Sequence, residues 1–460
     1  MKRPVLLALA VALWAVCRFL VPAGMPLLLA GLGFVLTRRA CRAFLLDPSS
    51  ERVVLASYVV KTTASFLLYG ISLFSLPVLQ SLQLGNGFWS IAWDGVAYHQ
   101  YAQVMRQALL HLDFSAVQAL RLPAGTISMS GYLGGIYLLA GSTPLNGILL
   151  NSWWATAGLI AAFLLAVQLR IPSGSIPTIL LPIAFWPSAI LWSTQLLKDV
   201  IILSLVLITC ALFLFLWHPG EEERRMNRMG WLFLTLSVLL LSTFRNYTSL
   251  ILASCIFLDF LFFAVWKSKT YGPRALLRGA GLTAIILTCS ISGSAIVIRE
   301  IGMGMKEKSI AGLSQRLPEY AGELRRGLMK TPGSALVAPD QPPAQISYRA
   351  ADISRNLAAA FFAPFPWQWK KEGNWSLMRV AAGLEALLIY PLVIGLLISL
   401  PRFSVLQEGQ GFFLLLFVIV LPTTLSAVIP NFGSMARLRL QFILPMILLL
   451  GKLRMASSNS

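Results

Sequence analysis

The sequence predicts an all-α integral membrane protein of about twelve transmembrane helices (eleven to thirteen), with further helices lying in the outer interface. Three observations carry this. Hydrophobic residues make up 57% of the 460 and charged residues only 12%, against about 25% charged in a soluble domain. Mean hydropathy is +0.74. Apolar runs recur along the whole chain, most of them near the roughly 20 residues that cross a bilayer. The low charge excludes a soluble enzyme, and the apolar content excludes a disordered chain.

The first run, 4–21, follows Met1-Lys2-Arg3 and starts like a signal peptide. No small-residue cleavage site follows and the chain re-enters at once, so it is taken as the first span. Runs 23–38, 53–79, 144–169, 175–194, 199–217, 231–244, 248–266, 280–298, 377–400, 411–430 and 439–451 complete the set. The chain thus divides into an N-terminal transmembrane module, 1–298, a long external loop, 299–376, and C-terminal transmembrane helices, 377–460. A first external loop, 80–143, lies within the module. There is no internal repeat and no low-complexity tract, and the tail from Ser457 to Ser460 is expected to fray.

The net charge is +19, from 37 Lys and Arg against 18 Asp and Glu. Such an excess suits nucleic acid or an anionic membrane, and its distribution decides. With twelve spans both termini share one side. If that side is the cytoplasm, 17 basic residues fall in cytoplasmic segments, two (Arg18 and Lys61) in spans and 18 outside, eleven of these in 299–376. Long loops cross regardless of charge, so the comparison is 17 against seven, which favours cytoplasmic termini. The basic residues sit in short loops such as Glu221-Glu222-Glu223-Arg224-Arg225 and not in a basic domain, which argues against nucleic acid. Cys17, Cys210, Cys255 and Cys289 fall in spans and Cys41 in a cytoplasmic loop, so no external disulfide framework exists.

In the first external loop, Asp94, Tyr98, Tyr101, Ala102, Met105 and Leu109 recur at helical spacing, with His99, Gln100, Gln103, Arg106 and Gln107 opposite. This is an amphipathic interfacial helix with Asp94 at its start. The apolar piece 128–141 is too short to span and suits a re-entrant or interfacial helix. The second loop carries Arg316, Glu319, Glu323, Arg325 and Arg326 at helix-like spacing, then the Pro-rich stretch Pro332 to Pro343. It closes on Phe361-Phe362-Ala363-Pro364-Phe365-Pro366-Trp367-Gln368-Trp369, a cluster that an interfacial aromatic belt accounts for without any function.

Ionisable residues near hydrocarbon are costly and are functional candidates by default. The twelve-span topology gathers Asp94, Lys198, Asp199, Arg245, Arg437 and Arg439 at the external face. A carboxylate with a ring of Arg and Lys suits a phosphate-bearing lipid, since Arg binds phosphate bidentately and Lys supplies a point charge. The carboxylate can take a proton from an attacking hydroxyl. Each residue also has a structural reading: Asp94 as a helix cap, Lys198 snorkelling with Asp199 paired to it or capping, and the three arginines as head-group anchors. Lys61 and Glu385, inside spans, suit pairing with each other or with other partners. Asp259 reads as structural, and His99 and His111 as surface residues. No His/Asp/Glu cluster has metal-ligand spacing, and the residues single out no cofactor. Asp94 with a second external carboxylate is the one place suited to a divalent cation.

These residues resemble polytopic glycosyltransferases of the GT-C superfamily, nearest the bacterial relatives of the protein mannosyltransferases and the lipid A aminoarabinose transferase. The matching pieces are Asp94 with Tyr98; Gly131-Tyr132, Gly141 and Leu150-Asn151; Pro187-Ser188, Trp192-Ser193 and Lys198-Asp199; Arg245 with Tyr247; and Asn431, Gly433, Arg437 and Arg439. The similarity covers residues 55–265 well and 360–450 loosely. It implies a GT-C-like fold, Asp94 as base or metal-associated residue, and Lys198, Arg245, Arg437 and Arg439 as donor-phosphate ligands. Tyr98, Asp199 and Tyr247 would support them. Two departures stand: the only other acidic residue in the loop is Asp113, poorly spaced, and 299–376 resembles no recognisable periplasmic domain.

The leading expectation is a glycosyltransferase of the bacterial inner membrane, using a polyprenyl-phosphate-linked sugar at the outer face. Its acceptor would be an envelope glycan, lipid or protein, with Trp93, Trp367 and Trp369 contacting sugar or lipid. The alternatives are an envelope polysaccharide polymerase, which shares Lys-Asp and Arg-x-Arg features, and a transporter or flippase for lipid-linked sugars. Transporters often carry repeats and midplane broken helices, and here no repeat is seen and the charges lie at the rim.

Overall fold

The computed structural model describes residues 24–119, 124–217, 227–266, 273–300, 350–371, 374–375, 377–399, 410–429 and 432–458, with four residues of the first apolar run. Span 4–21, the loop at Glu221, Arg316 to Pro343 and Asn431 lie outside or largely outside these.

The described chain is almost wholly helical. In order, its helices are α1 (Gly24–Ala43), α2 (Pro48–Leu73), α3 (Asp94–His111), α4 (Ser115–Ala119), α5 (Ala124–Ala140), α6 (Pro144–Gln168), α7 (Ile176–Ala184) and α8 (Pro187–Ser193). Then come α9 (Asp199–Trp217), α10 (Asn227–Phe244), α11 (Asn246–Trp266), α12 (Pro273–Glu300), α13 (Ala350–Phe362), α14 (Leu377–Ser399), α15 (Gln410–Val428) and α16 (Phe432–Ser458). Two small antiparallel hairpins interrupt them: β1 (Gln83–Gly85) with β2 (Phe88–Trp89), and β3 (Lys370–Lys371) with β4 (Asn374–Trp375).

Among the described residues, six helices are long and apolar enough to cross a membrane, namely α2, α6, α9, α11, α14 and α16. Chains with several such helices are integral membrane proteins. A seventh candidate is the bent pair α7 and α8, which turns by 61°. The uninterrupted apolar run 175–194 predicts one straight span; the structure breaks it at Phe185-Trp186. The cause is Pro187, which disfavours helix at the residue before it; Trp186 is extended (φ −58°, ψ 127°) and Pro187 opens α8. Shorter apolar helices, Met229–Phe244, Gly279–Ser292 and Gly411–Ser426, fall on three more of the predicted runs. The run 53–79 is shifted: α2 begins at Pro48, where the Asp47 carboxylate accepts from the N–H groups of Ser49 and Ser50 (both 3.0 Å), and stops at Leu73.

The chain folds into two compact units. One comprises Met1–Leu164, Ser173–Ile208 and Thr243–Arg245; the other comprises Leu165–Pro172, Thr209–Ser242 and Asn246–Ser460. In the first, α3 lies along α5 and buries Gly95, Tyr98, Ala102, Met105 and Ala108, the stripe at helical spacing expected of an amphipathic helix. Lys61 on α2 is buried and donates to Ser57 Oγ (2.6 Å) and to the Ala184 carbonyl (3.1 Å). It therefore satisfies a carbonyl freed by the α7–α8 break, and of the two expected alternatives its hydrogen bonds go to partners other than Glu385. In the second unit, α11 packs on α12 and α15, and α16 on α14 and α15. Phenylalanines fill it, including Phe413, Phe417 and Phe442, all fully buried.

Candidate functional site

The charged residues of the first unit meet around the start of α9. The segment Thr194 to Lys198 carries the chain from α8 into α9, and Asn151 on α6 fixes its shape. The Asn151 amide donates to the carbonyls of Gln195 (2.6 Å) and Leu197 (2.9 Å). One buried amide thus ties two carbonyls of the turn to α6, beside the bond that the Leu197 N–H donates to the Gln195 carbonyl (2.9 Å).

Asp199 opens α9, where a carboxylate is favoured by the helix dipole. Its Oδ1 accepts from Arg245 Nη2 at 2.9 Å, with only 6% of the Asp199 side chain and 11% of the Arg245 side chain exposed. Arg245 is the single residue between α10 and α11. The pair thus joins positions 46 residues apart.

Lys198 faces α3 and α5. Its ammonium lies 5.9 Å from the centre of the Tyr98 ring, within cation–π range. Gly125, near the start of α5, lies against the same spot: a methyl group placed there would be 2.7 Å from both Lys198 Nζ and the Phe244 carbonyl. Ser128, one turn on, donates to the Thr243 carbonyl (3.0 Å), which holds the end of α10 against α5.

Asp94 is the first residue of α3 and is half-buried. The N-cap position belongs to Trp93, whose side chain makes no capping bond. Tyr98 follows Asp94 by four residues, so the two share a helix face. Gly95, next to Asp94, packs on the turn before Lys198; a Cβ there would sit 3.1 Å from the Leu196 carbonyl. The structure therefore gathers Asp94, Tyr98, Lys198, Asp199 and Arg245 within one unit. Tyr132 completes the wall, its ring 6.3 Å from Phe244 and its hydroxyl accepting from Trp154 Nε1 at 3.0 Å.

The remaining site residues belong to the second unit. Arg439 is buried and donates from Nε to the Ala360 carbonyl (2.9 Å) and from Nη2 to the Ala363 carbonyl. It thus caps the C-terminal end of α13, a place where a cation satisfies orphan carbonyls; the sequence expectation gave it a phosphate. Glu385 acts on Arg439 electrostatically. Arg437 is half-buried on α16, and Tyr247 is half-buried at the start of α11. Trp367 is 75% exposed and stacks on Phe365 at 4.8 Å. Trp369 donates to the Pro364 carbonyl (3.0 Å) and packs against Gly383 of α14.

On the other side of α3 is a cleft of about 440 Å³, lined among others by Tyr69, Asn86, Phe88, Trp93, His99 and Gln100. His99 is half-buried there, where a surface position was expected. Its Nδ1 lies 2.8 Å from the Tyr137 hydroxyl and its Nε2 accepts from Gln103 Nε2 at 3.0 Å. Desolvation holds its pKa below the usual 6.5. With Nε2 accepting, the proton of the neutral ring falls on Nδ1. Neither Asn151 nor His99 was singled out for this role; the side-chain partners come from other elements. Among the described residues, no three His, Cys, Asp or Glu groups come together as a metal set.

The chain matches no family model, and no curated protein or solved structure is significantly similar to it.

Proposed function

We propose that the chain is a membrane glycosyltransferase that moves a sugar from a polyprenyl-phosphate donor to a hydroxyl of an envelope glycan, lipid or protein. The observation that carries this proposal is the packing of Lys198 against Tyr98, on the helix that Asp94 opens, with Asp199 bound to Arg245 behind it. A carboxylate and an ammonium are what such a displacement needs. The acceptor oxygen bonds to the anomeric carbon while Asp94 takes its proton. The anomeric C–O bond to phosphate breaks, and its electron pair leaves on the phosphate beside Lys198. Charge developing on that oxygen is where a fixed cation lowers the barrier.

Asp199 and Arg245 act here as positioning residues: their ion pair fixes the start of α9 next to Lys198. Arg437 enters the proposal through the sequence resemblance alone. Arg439 serves the α13 cap. The proposed topology keeps twelve spans, made of the six long helices, the bent pair, α1, the three shorter apolar helices and the first apolar run. Cytoplasmic termini then place the Asp94 face outside, in the inner membrane of a bacterium.

The test is donor binding in nanodiscs, read as displacement of a fluorescent polyprenyl phosphate. Lys198→Ala should weaken binding by about tenfold, the equivalent of roughly 1.4 kcal/mol. Unchanged affinity would place the phosphate elsewhere.

A further inference from the structure

The cleft on the far side of α3 is half-open, and hydrogen bonds fix its walls. Its hairpin wall, β1 and β2, is bolted to α2 by two bonds: Ser72 Oγ donates to the Phe88 carbonyl (2.6 Å), and Trp89 Nε1 to the Leu68 carbonyl (3.1 Å). Its floor is equally fixed. The His99 ring lies 5.5 Å from Phe88 and 5.4 Å, edge to face, from Tyr137. Tyr137 is fully buried. A volume of about 440 Å³ falls in the range of small-molecule sites, about 300–1,000 Å³.

The lining narrows the occupant. Among the described residues that line it there is no Lys, Arg, Asp or Glu to balance a phosphate or an ammonium. Four aromatic or imidazole rings (Tyr69, Phe88, Trp93 and His99) face two side-chain amides, Asn86 and Gln100. Trp93 is 64% exposed, so its indole is open to a ligand. Flat apolar faces combined with neutral paired donors and acceptors match one ligand chemistry, a pyranose ring: its C–H face stacks on aromatic rings while its hydroxyls take amide hydrogen bonds.

We propose that this cleft is a subsite for a neutral saccharide, separate from the Lys198 cluster and reached from the opposite side of α3. It deepens the transferase proposal, and rests on it, only in making that saccharide part of a glycan acceptor. Trp93 supplies the stacking platform, and Gln100 and Asn86 hold hydroxyls. His99, tied to Tyr137 and Gln103, is a neutral positioning ring.

The experiment is tryptophan fluorescence titration of the full chain in phosphatidylcholine nanodiscs, prepared without glycoside detergent. The probes are methyl glycosides of glucose, galactose, mannose and N-acetylglucosamine with their disaccharides. Saturable binding is expected for at least one probe, and isothermal titration should find it weakened tenfold or more by Trp93→Ala and by Gln100→Leu. Leu110→Ala, exposed on α3 outside the cleft, should leave it unchanged. Binding by none of the probes, or binding indifferent to Trp93→Ala and Gln100→Leu, overturns the proposal. So does quenching of Trp93 by a brominated acyl chain that saccharide cannot displace, which would make the cleft a lipid site. Saccharide binding with no sugar transfer keeps the subsite and removes the transferase; transfer without saccharide binding does the reverse.

Discussion

Asp199 and Arg245 form an ion pair, 2.9 Å long and nearly excluded from solvent, between the first residue of α9 and the single residue separating α10 from α11. The chain direction at both ends depends on it. Removing one member strands the other charge in a dry site, which costs about 3–5 kcal/mol, whereas neutralising both is far milder. Asp199→Asn should therefore lower the thermal denaturation midpoint markedly, and Asp199→Asn with Arg245→Gln should recover much of the loss. A single variant as stable as the wild type would show that the pair contributes nothing.

Gly125 faces Lys198 and the Phe244 carbonyl with no room for a side chain. Gly125→Val should displace the ammonium and weaken polyprenyl-phosphate binding by tenfold or more. Gly135 on the same helix has open space where a Cβ would project, so Gly135→Val should be tolerated apart from a few tenths of a kcal/mol of helix propensity. Equal effects from the two would remove Gly125 from the site.

The assignment of Arg439 to the α13 cap separates two arginines that lie two positions apart. Arg439→Ala leaves two carbonyls without their donor, at about 1–3 kcal/mol for each one that stays unsatisfied. Its expected signature is lost stability with donor affinity intact in the fraction that folds. Arg437→Ala should do the opposite. Weaker donor binding by Arg439→Ala at unchanged stability would return that residue to the phosphate site.

His99 gives stability a pH dependence of definite sign. Its folded pKa is depressed by desolvation, so below about 6.5 the unfolded chain binds the extra proton and the folded state loses ground. Stability from this group is complete above the unfolded value and falls as pH drops through 6.5 toward the folded value. Denaturation midpoints measured from pH 7.5 to 5.5 should show a decline that His99→Gln reduces. An identical decline in the variant would assign it to other groups.

Lys61 bonds a serine and a carbonyl, and Ser57 Oγ also donates to that Ala184 carbonyl at 3.2 Å. Lys61→Met leaves the carbonyl satisfied and removes a buried charge, so it should be neutral or stabilising. Lys61→Glu should prevent stable folding. A large loss in Lys61→Met, seen as a lower midpoint, would give the ammonium a role beyond the α7–α8 bend.

Helix placement was legible because lipid demands continuous apolar runs. The run 199–217 is α9 to the residue, and 144–169 and 377–400 differ from α6 and α14 by one position. The break in 175–194 carried a signal, Pro187, that the unbroken hydropathy masked. Tertiary partners were not legible in this way. Nothing local tells Asp199 to pair with an arginine 46 residues away, and nothing in α3 announces that a hairpin will wall His99 into a cleft. Lys198, Asp199 and Arg245 drew notice in the sequence because charge beside long apolar runs is costly; their partners come from other elements of the fold.

The central claim is that Asp94 takes the proton of an acceptor hydroxyl. Its most direct measurement is sugar transfer from a radiolabelled polyprenyl-phosphate donor, in membranes carrying equal amounts of wild type or Asp94→Asn. A positioned acid–base group contributes about 10²–10⁴ in rate. Asp94→Asn should therefore lose at least about a hundredfold in transfer while binding donor within twofold of wild type. Transfer by Asp94→Asn at the wild-type rate would contradict the account.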